Sequence, residues 1–391
     1  VKAPPSKSAA HRLLLCAGLA AGKSTVRNVA FSEDILATLD VLKALGAEVQ
    51  IDGDTVTVQG ADPFEAVTDV PVSCRESGST LRFCIPLFLL SGKPVTLTGK
   101  GRLMQRPQSV YEAICEKQGL TFEKTDDGIH LQGPLQAGAF EVQGNISSQF
   151  ITGLLFALPL LESDSRINLI PPVESRSYLN ITAEALKTFG ISVNWQDENT
   201  LLIPGGQRYQ PKDVTVEGDY SNAAFFSALE TLGDPVTITG LGESQQGDRV
   251  YQTYFPLLKA GKPTLDVTDC PDLAPILMAL SAALNGCVLT GTRRLKIKES
   301  DRGAAMEQEL KKLGVRCVLE EDQIEVFPGI HTPTEPIFGH NDHRIVMAMS
   351  VLLTRVGGVI RGAEAVSKSF PDYFEQLEKL KIEVKHHAAC Q

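Results

Sequence analysis

The sequence predicts a mixed α/β protein made of two pseudo-symmetric halves. Three observations carry this. A pattern of strand, turn and helix returns six times along the 391 residues. Five of the six copies close on a helix that stops near a glycine, and all six then run on into a strand. Hydrophobic residues make up 43% of the chain and charged residues 21%, which supplies a large packed core and excludes wholesale disorder.

The copies open, in order, at Pro4-Pro5-Ser6-Lys7-Ser8, Glu76-Ser77-Gly78-Ser79-Thr80, Gly144-Asn145-Ile146-Ser147-Ser148, Glu217-Gly218-Asp219-Tyr220-Ser221, Asp269-Cys270-Pro271-Asp272 and Gly339-His340-Asn341-Asp342. With Ser8, Ser79, Ser148, Ser221, Asp272 and Asp342 taken as equivalent, the steps are 71, 69, 73, 51 and 70 residues. A unit of roughly 65 residues buries too little surface to stand alone. The six are therefore read as two groups of three, with a hinge near Val216.

The closing segments are Leu45-Gly46, Gln118-Gly119, Phe189-Gly190, Ala260-Gly261, Leu313-Gly314 and, without glycine, Leu380-Lys381. After the first, Val49 to Val58 alternates about Asp52-Gly53 and reads as a hairpin. Two apolar runs stand out. Phe150 to Leu161 is too short to span a bilayer. Ala274 to Leu289 reads as a core helix that stops at Asn285-Gly286 and turns into a strand.

Charge and cysteine content narrow the function. A net charge of −10 argues against nucleic acid as partner, although a basic pocket can exist within an acidic protein. The eight cysteines (16, 74, 84, 115, 270, 287, 317 and 390) show no metal-ligand spacing, and no secretory signal opens the chain. A reduced, cytoplasmic enzyme is expected. Gly18 to Thr25 imitates a phosphate-binding P-loop, but only three residues separate its glycines and it follows an apolar helix, so ATP is not expected as a ligand.

The turns carry unusual chemistry. Ser79 and Ser221 are explained as helix N-caps. Capping does not explain Lys7 and Arg12, or His343-Arg344, because a cation near a helix N-terminus opposes the macrodipole. Cations there make sense against a small anion, which exposed N–H groups already favour. Further basic stretches lie in loops: Arg102 to Arg106, Arg176, Lys296 to Arg302, and Lys368. Arginines able to make paired contacts would hold carboxylate or phosphate.

Pro5-Ser6-Lys7-Ser8 with Arg12, Gly78-Ser79-Thr80-Leu81-Arg82, Arg102 to Pro107, Ser147-Ser148-Gln149-Phe150, Lys298-Glu299-Ser300-Asp301-Arg302, Asn341-Asp342-His343-Arg344 and Lys368 to Phe374 together resemble the 5-enolpyruvylshikimate-3-phosphate synthase family. The matches run in order over nearly the whole chain. The resemblance implies an α/β (α+β) inside-out barrel fold: two globular domains, each of three βαβαββ-type units, closing over a cleft. The expected boundaries are 8–216 for one domain and 217–391 plus 1–7 for the other. It implies transfer of the enolpyruvyl group of phosphoenolpyruvate to shikimate 3-phosphate, by a monomer, with no metal or organic cofactor and no nucleic acid or membrane partner.

The resemblance also assigns roles. Lys7, Ser8 and Arg12 are expected on shikimate 3-phosphate, with Lys7 also reaching phosphoenolpyruvate. Ser147, Ser148 and Ser175 are expected on the shikimate phosphate, Gln149 between the substrates, and Tyr178 against the ring. Gly78, Arg106, Arg302, Arg344 and Lys368 are expected to clamp phosphoenolpyruvate. Asp272 and Glu299, with Lys298 alongside, are expected to move protons. A missing Cβ at Gly78 would let an anion approach the backbone. A sister family acting on UDP-N-acetylglucosamine uses a loop cysteine, and none lies between Cys84 and Cys115. The chain departs from the family pattern at Pro5, His11, Glu76 and Phe83.

Overall fold

Two bodies make up the chain in a computed structural model that describes residues 1–386. One comprises Pro5–Gly218 with Glu243–Gly247; the other comprises Val1–Pro4, Asp219–Gly242 and the chain from Asp248. Residues 5–7, 217–218 and 243–247, grouped by the sequence reading with the second body, fall in the first. Pro5 bridges Gly218, the Ser6 N–H bonds the Glu217 carbonyl at 2.7 Å, and Lys7 already begins a helix of the first body.

The first body has six helices: α1 (Lys7–Leu19), α2 (Glu33–Ala44), α3 (Gly78–Leu90), α4 (Ser109–Gln118), α5 (Ser148–Ala157) and α6 (Arg176–Thr188). Its third unit shows the repeat most plainly. Strand Ala139–Gln143, α5, strand Ser165–Ile170, α6, and the hairpin strands Asn194–Trp195 and Thr200–Ile203 follow one another. The first two strands pair in parallel across the helix crossover, and the hairpin adds antiparallel. The second unit repeats this with Val72–Ser73, Val95–Thr98, Thr121–Thr125 and Gly128–Gln132. The first unit borrows its opening strand: Asp213–Thr215 returns to pair in parallel with Lys23–Arg27.

Amphipathicity places these layers. α3 and α5 are apolar on nearly every side, so both are buried almost all round and pack on each other. Strands alternate, as in Phe140 and Val142 buried between exposed neighbours, so the sheets keep one face to water. Helices thus form the centre and sheets the outside.

The second body follows the same plan with fewer strands. Its helices are α7 (Tyr220–Thr231), α8 (Tyr251–Ala260), α9 (Ala274–Ala283), α10 (Arg302–Lys312), α11 (His343–Val356) and α12 (Tyr373–Lys379). The α9–α10 unit has the full sheet, ordered Thr264–Asp266, Cys287–Thr290, Gln323–Val326, Cys317–Leu319. Among the described residues, the α11–α12 unit keeps a two-stranded ladder of Ile337–Phe338 and Ile360–Arg361, and the α7–α8 unit a single bridge from Lys2 to Thr239. The run Ala274 to Leu289 is, as expected, helix then strand, turned by Gly286 at φ +77°.

Two local expectations change. Gly261 is not a left-handed stop: its φ is 173°, extended backbone ahead of Pro263. Lys381, in the copy without glycine, does take the left-handed conformation, at φ +64°. The capping residues also lie elsewhere. Ser77 caps α3 and Asp219 caps α7, whereas Ser79 and Ser221 sit inside the first turns.

Gly153 sets the spacing of α3 and α5. Its face meets the Arg82 carbonyl and the Tyr111 hydroxyl, which itself bonds the Arg82 and Phe150 carbonyls at 2.6 and 3.0 Å. A Cβ there collides with backbone that cannot yield. Gly153→Ala is expected to destabilise the first body by about 1–3 kcal/mol, and an unchanged denaturant midpoint would contradict this close packing.

Candidate functional site

In the first body the N-terminal turns of α1, α3, α5 and α6 are tied together at one end. Ser6 caps α1, its Oγ accepting from the Ala9 N–H at 3.3 Å, so Lys7 and Ser8 occupy the first turn. Lys7 Nζ pairs at 2.7 Å with Asp34 in the first turn of α2. Arg12, one turn on and 3% exposed, donates to Thr182 Oγ1 at 2.8 Å, the Ser8 carbonyl at 2.7 Å and the Tyr178 carbonyl at 3.2 Å. All three acceptors are neutral. Burial lowers the Arg12 pKa to about 10, with Tyr178 and Cys16 acting against the shift. The guanidinium stays charged at neutral pH.

A Cβ at Gly78 would strike the guanidinium of Arg106, the far end of a flexible side chain that lies against this open backbone face. Arg106 Nε has no hydrogen-bond partner. Gln149 is held in one orientation: its Oε1 accepts from Arg82 Nη1 at 2.8 Å and its Nε2 donates to Ser79 Oγ at 2.9 Å. Ser147 caps α5 and Ser148 is its first residue. Ser175, left-handed at φ +56°, precedes α6, and its carbonyl accepts from the Tyr178 N–H at 3.1 Å. The structure therefore gathers Lys7, Ser8, Arg12, Gly78, Arg106, Ser147, Ser148, Gln149, Ser175 and Tyr178 around these turns.

The second body has its own cluster, built around Arg302, which is 1% exposed in its side chain. Three carboxylates hold it: Asp342 on Nε at 2.9 Å, Asp272 on Nη1 at 2.7 Å and Glu299 on Nη2 at 2.9 Å. Asp272 follows Pro271 in a one-turn helix but caps nothing; its oxygens also face Lys298 at 3.3 Å and Arg344 at 3.4 Å. Burial pushes Asp272 up, but Lys298, Arg302 and Arg344 together outweigh that and hold it well below the ordinary carboxylate range. Burial pulls Lys298 down, with Asp272 opposing. Arg344 also donates to Asn222 Oδ1 at 3.2 Å, while its buried Nε has no partner. Lys368 donates to the Asn341 carbonyl at 2.8 Å. Among the described residues, no group of three or more His, Cys, Asp or Glu is set to hold a metal ion.

Sequence reasoning missed the counter-ions and supports. Asp34 lies on another helix than Lys7, and Glu309, besides Lys312 three residues on, reaches Phe338 and His340 in a distant loop, so spacing along the chain does not announce these contacts. Asp342, read as a repeat marker and as part of a family motif but given no role of its own, is fully buried between Arg302, Ser300 and the Arg344 N–H. Glu309, also fully buried, accepts from Lys312 at 2.7 Å, the Phe338 N–H at 2.9 Å and His340 at 2.7 Å. It thereby holds a loop in which His340 and Asn341 are both left-handed, at φ +50° and +53°. Asp342 and the carbonyl that takes Lys368 both depend on that loop.

Each body thus combines repeated strand–helix units with buried cations near helix N-termini. Solved structures share the fold: EPSP synthase from Acinetobacter baumannii superposes with a TM-score of 0.78 at 22% identity, covering 97% of this chain and 95% of that one. The enolpyruvyl transferase NikO from Streptomyces tendae gives 0.76 at 16% identity, covering 100% and 96%. The family model described as EPSP synthase (3-phosphoshikimate 1-carboxyvinyltransferase) matches residues 1–253 and 245–377. Relatives named 3-phosphoshikimate 1-carboxyvinyltransferase are 38% identical in Clostridium kluyveri, over 98% of this chain and 95% of theirs, and 35% identical in Clostridioides difficile, over 97% and 94%. The chain belongs to the EPSP synthase family, and it is an enzyme. Among the described residues no helix is long and apolar enough to cross a membrane.

Asp248 gives a pH-dependent test. It is 4% exposed, and its Oδ1 has no hydrogen-bond partner. Burial first, then the charge of Asp272, push its pKa up to about 8, against the opposing pull of Arg344 and Lys298. Its unfolded value is about 3.9. A raised folded pKa contributes stability that is complete below the unfolded value and is lost as pH rises through about 8. Asp248→Asn should therefore gain stability relative to the parent between pH 5 and pH 9. Denaturant curves offset by the same amount at both pH values would refute the buried, protonated carboxyl.

Proposed function

We propose that this chain transfers the enolpyruvyl group of phosphoenolpyruvate to the 5-hydroxyl of shikimate 3-phosphate and releases inorganic phosphate. Family membership carries the reaction. The ion pairs around Asp272 and the uncompensated guanidinium of Arg12 support the residue roles. Lys7, Ser8, Arg12, Ser147, Ser148, Gln149, Ser175 and Tyr178 bind shikimate 3-phosphate. Gly78, through the Arg106 it admits, binds phosphoenolpyruvate together with Lys298, Arg302, Arg344 and Lys368. A chain of net charge −10 needs such local concentrations of cations to draw in two anionic substrates.

The chemistry is an addition followed by an elimination. The 5-hydroxyl oxygen bonds to C2 of phosphoenolpyruvate, the hydroxyl loses its proton and the methylene carbon gains one. The tetrahedral intermediate then loses a methyl proton, the C2–phosphate oxygen bond breaks, and phosphate departs. Asp272 takes the hydroxyl proton and Glu299 serves the methylene carbon. As found, Asp272 is too weakly basic for its task, because three cations stabilise its charge. Substrate phosphate or carboxylate arriving at Lys298 and Arg344 draws that charge away and raises its basicity. Binding and activation are thus one event. We further propose a cytoplasmic monomer; the buried free thiols of Cys16, Cys74, Cys84, Cys115, Cys270 and Cys287 suit a reducing compartment, while Cys390 lies outside the described residues.

The test is phosphate release with both substrates. Lys7→Ala, Arg106→Ala and Glu299→Ala should each lower kcat/KM about tenfold to a hundredfold, the ~1.5–3 kcal/mol of one charged contact, with circular dichroism unchanged. Parent-like kinetics in all three would overturn the assignment.

A further inference from the structure

We propose that His11, Thr38, Thr80 and Ser77 form a hydrogen-bonded strut that spaces the anion-binding turns of α1 and α3, with His11 as a positioning residue. The inference rests on the substrate roles given above for Lys7, Arg12 and the α3 turn. The strut is continuous. His11 Nδ1 lies 2.7 Å from Thr38 Oγ1, which lies 2.8 Å from Thr80 Oγ1, which lies 2.8 Å from Ser77 Oγ. It begins on α1 between Lys7 and Arg12, crosses α2, and ends at the cap of α3, beside Gly78 and Ser79.

Proton counting gives it a direction. Ser77 Oγ already accepts the Thr80 N–H at 3.2 Å and takes the Thr80 hydroxyl as well. In the arrangement that leaves no unpaired donor at Nε2, Thr80 Oγ1 accepts from Thr38 and Thr38 accepts from His11 Nδ1–H, with the Asp34 carbonyl, 3.5 Å from Thr38 Oγ1 and 3.4 Å from Thr80 Oγ1, as a further acceptor. Nε2 is left as a bare lone pair. It is buried and has no partner, and the residue is 1% exposed. Adding a proton there would bury a donor without an acceptor beside two cations. Burial, with Lys7 and Arg12, accordingly holds the imidazole well below its usual pKa. His11 is thus neutral and contributes no charge to a ligand. Its edge contact with the Phe83 ring, centroids 6.3 Å apart, fixes the ring plane.

α2 is the middle of this device. Asp34 holds Lys7, and Thr38, one turn later on the same face, holds His11. The two contacts fix both the height and the rotation of α1 against α2. Through Thr80, the same helix fixes α3. Loss of the strut frees the α1 turn to shift while leaving the proton-transfer groups untouched. The consequence is weaker substrate binding at nearly constant turnover.

The experiment measures shikimate 3-phosphate binding by calorimetry and kcat at saturating substrates, in the full chain. His11→Leu and Thr38→Val should each weaken binding about tenfold, with kcat within threefold of the parent. The double variant should bind no more weakly than the worse single one, because both remove one strut. His11→Asn, which keeps a donor near the Nδ1 position, should bind within threefold of the parent. Parent-like binding in folded His11→Leu or Thr38→Val overturns the strut, and so does a double variant whose losses multiply. Should His11→Leu fail to fold, Thr38→Val and Thr80→Val decide on the same terms. Lys7→Ala separates the two readings. If it leaves shikimate 3-phosphate binding intact, the substrate assignment fails. If it weakens binding while the strut variants do not, only the strut fails.

Discussion

Positive charge buried at the N-terminal ends of helices is the constraint on which this molecule is organised. A cation there faces the positive end of the macrodipole and loses its water, so it persists only when something nearby supplies negative charge or acceptor oxygens. Arg302 is the extreme case, enclosed by Asp272, Glu299 and Asp342. Removing one partner from such a group costs far more than the pair contributes, because the remaining charge is stranded.

The two bodies meet the constraint differently, and the difference has chemical content. In the first, Arg12 is satisfied by a hydroxyl and two carbonyls, so its charge remains available to an anion. In the second, Lys298, Arg302 and Arg344 share Asp272, so an incoming anion must exchange with a carboxylate already present. Asp248 shows the opposite response to the same surroundings: with no partner on its Oδ1 and Asp272 nearby, it keeps its proton to about pH 8.

Much of this was legible in the chain. The six-fold recurrence, the two groups of three, the helix-then-strand run at Ala274 to Leu289 and the sequence positions of the cations are local patterns, and local patterns survive being read one residue at a time. The failures are equally local in cause. Glycine was taken as the stop signal, yet Lys381 stops its helix in a left-handed conformation and Gly261 stays extended. Ser79 and Ser221 were taken as caps, yet Ser77 and Asp219 cap because the turn begins two residues earlier.

The sequence by itself determined the alternation of elements, the apolar centre and one-sided sheets, and which residues could face an anion, because side-chain type and periodicity decide these. Only the tertiary structure decided the charge state and reach of those residues. Asp34, Thr38, Asp342 and Glu309 act across distances of 27 to 40 residues on Lys7, His11, Arg302 and His340. A carboxylate or hydroxyl exerts its influence over a few ångströms of space, and no spacing along the chain records which helix will bring it there.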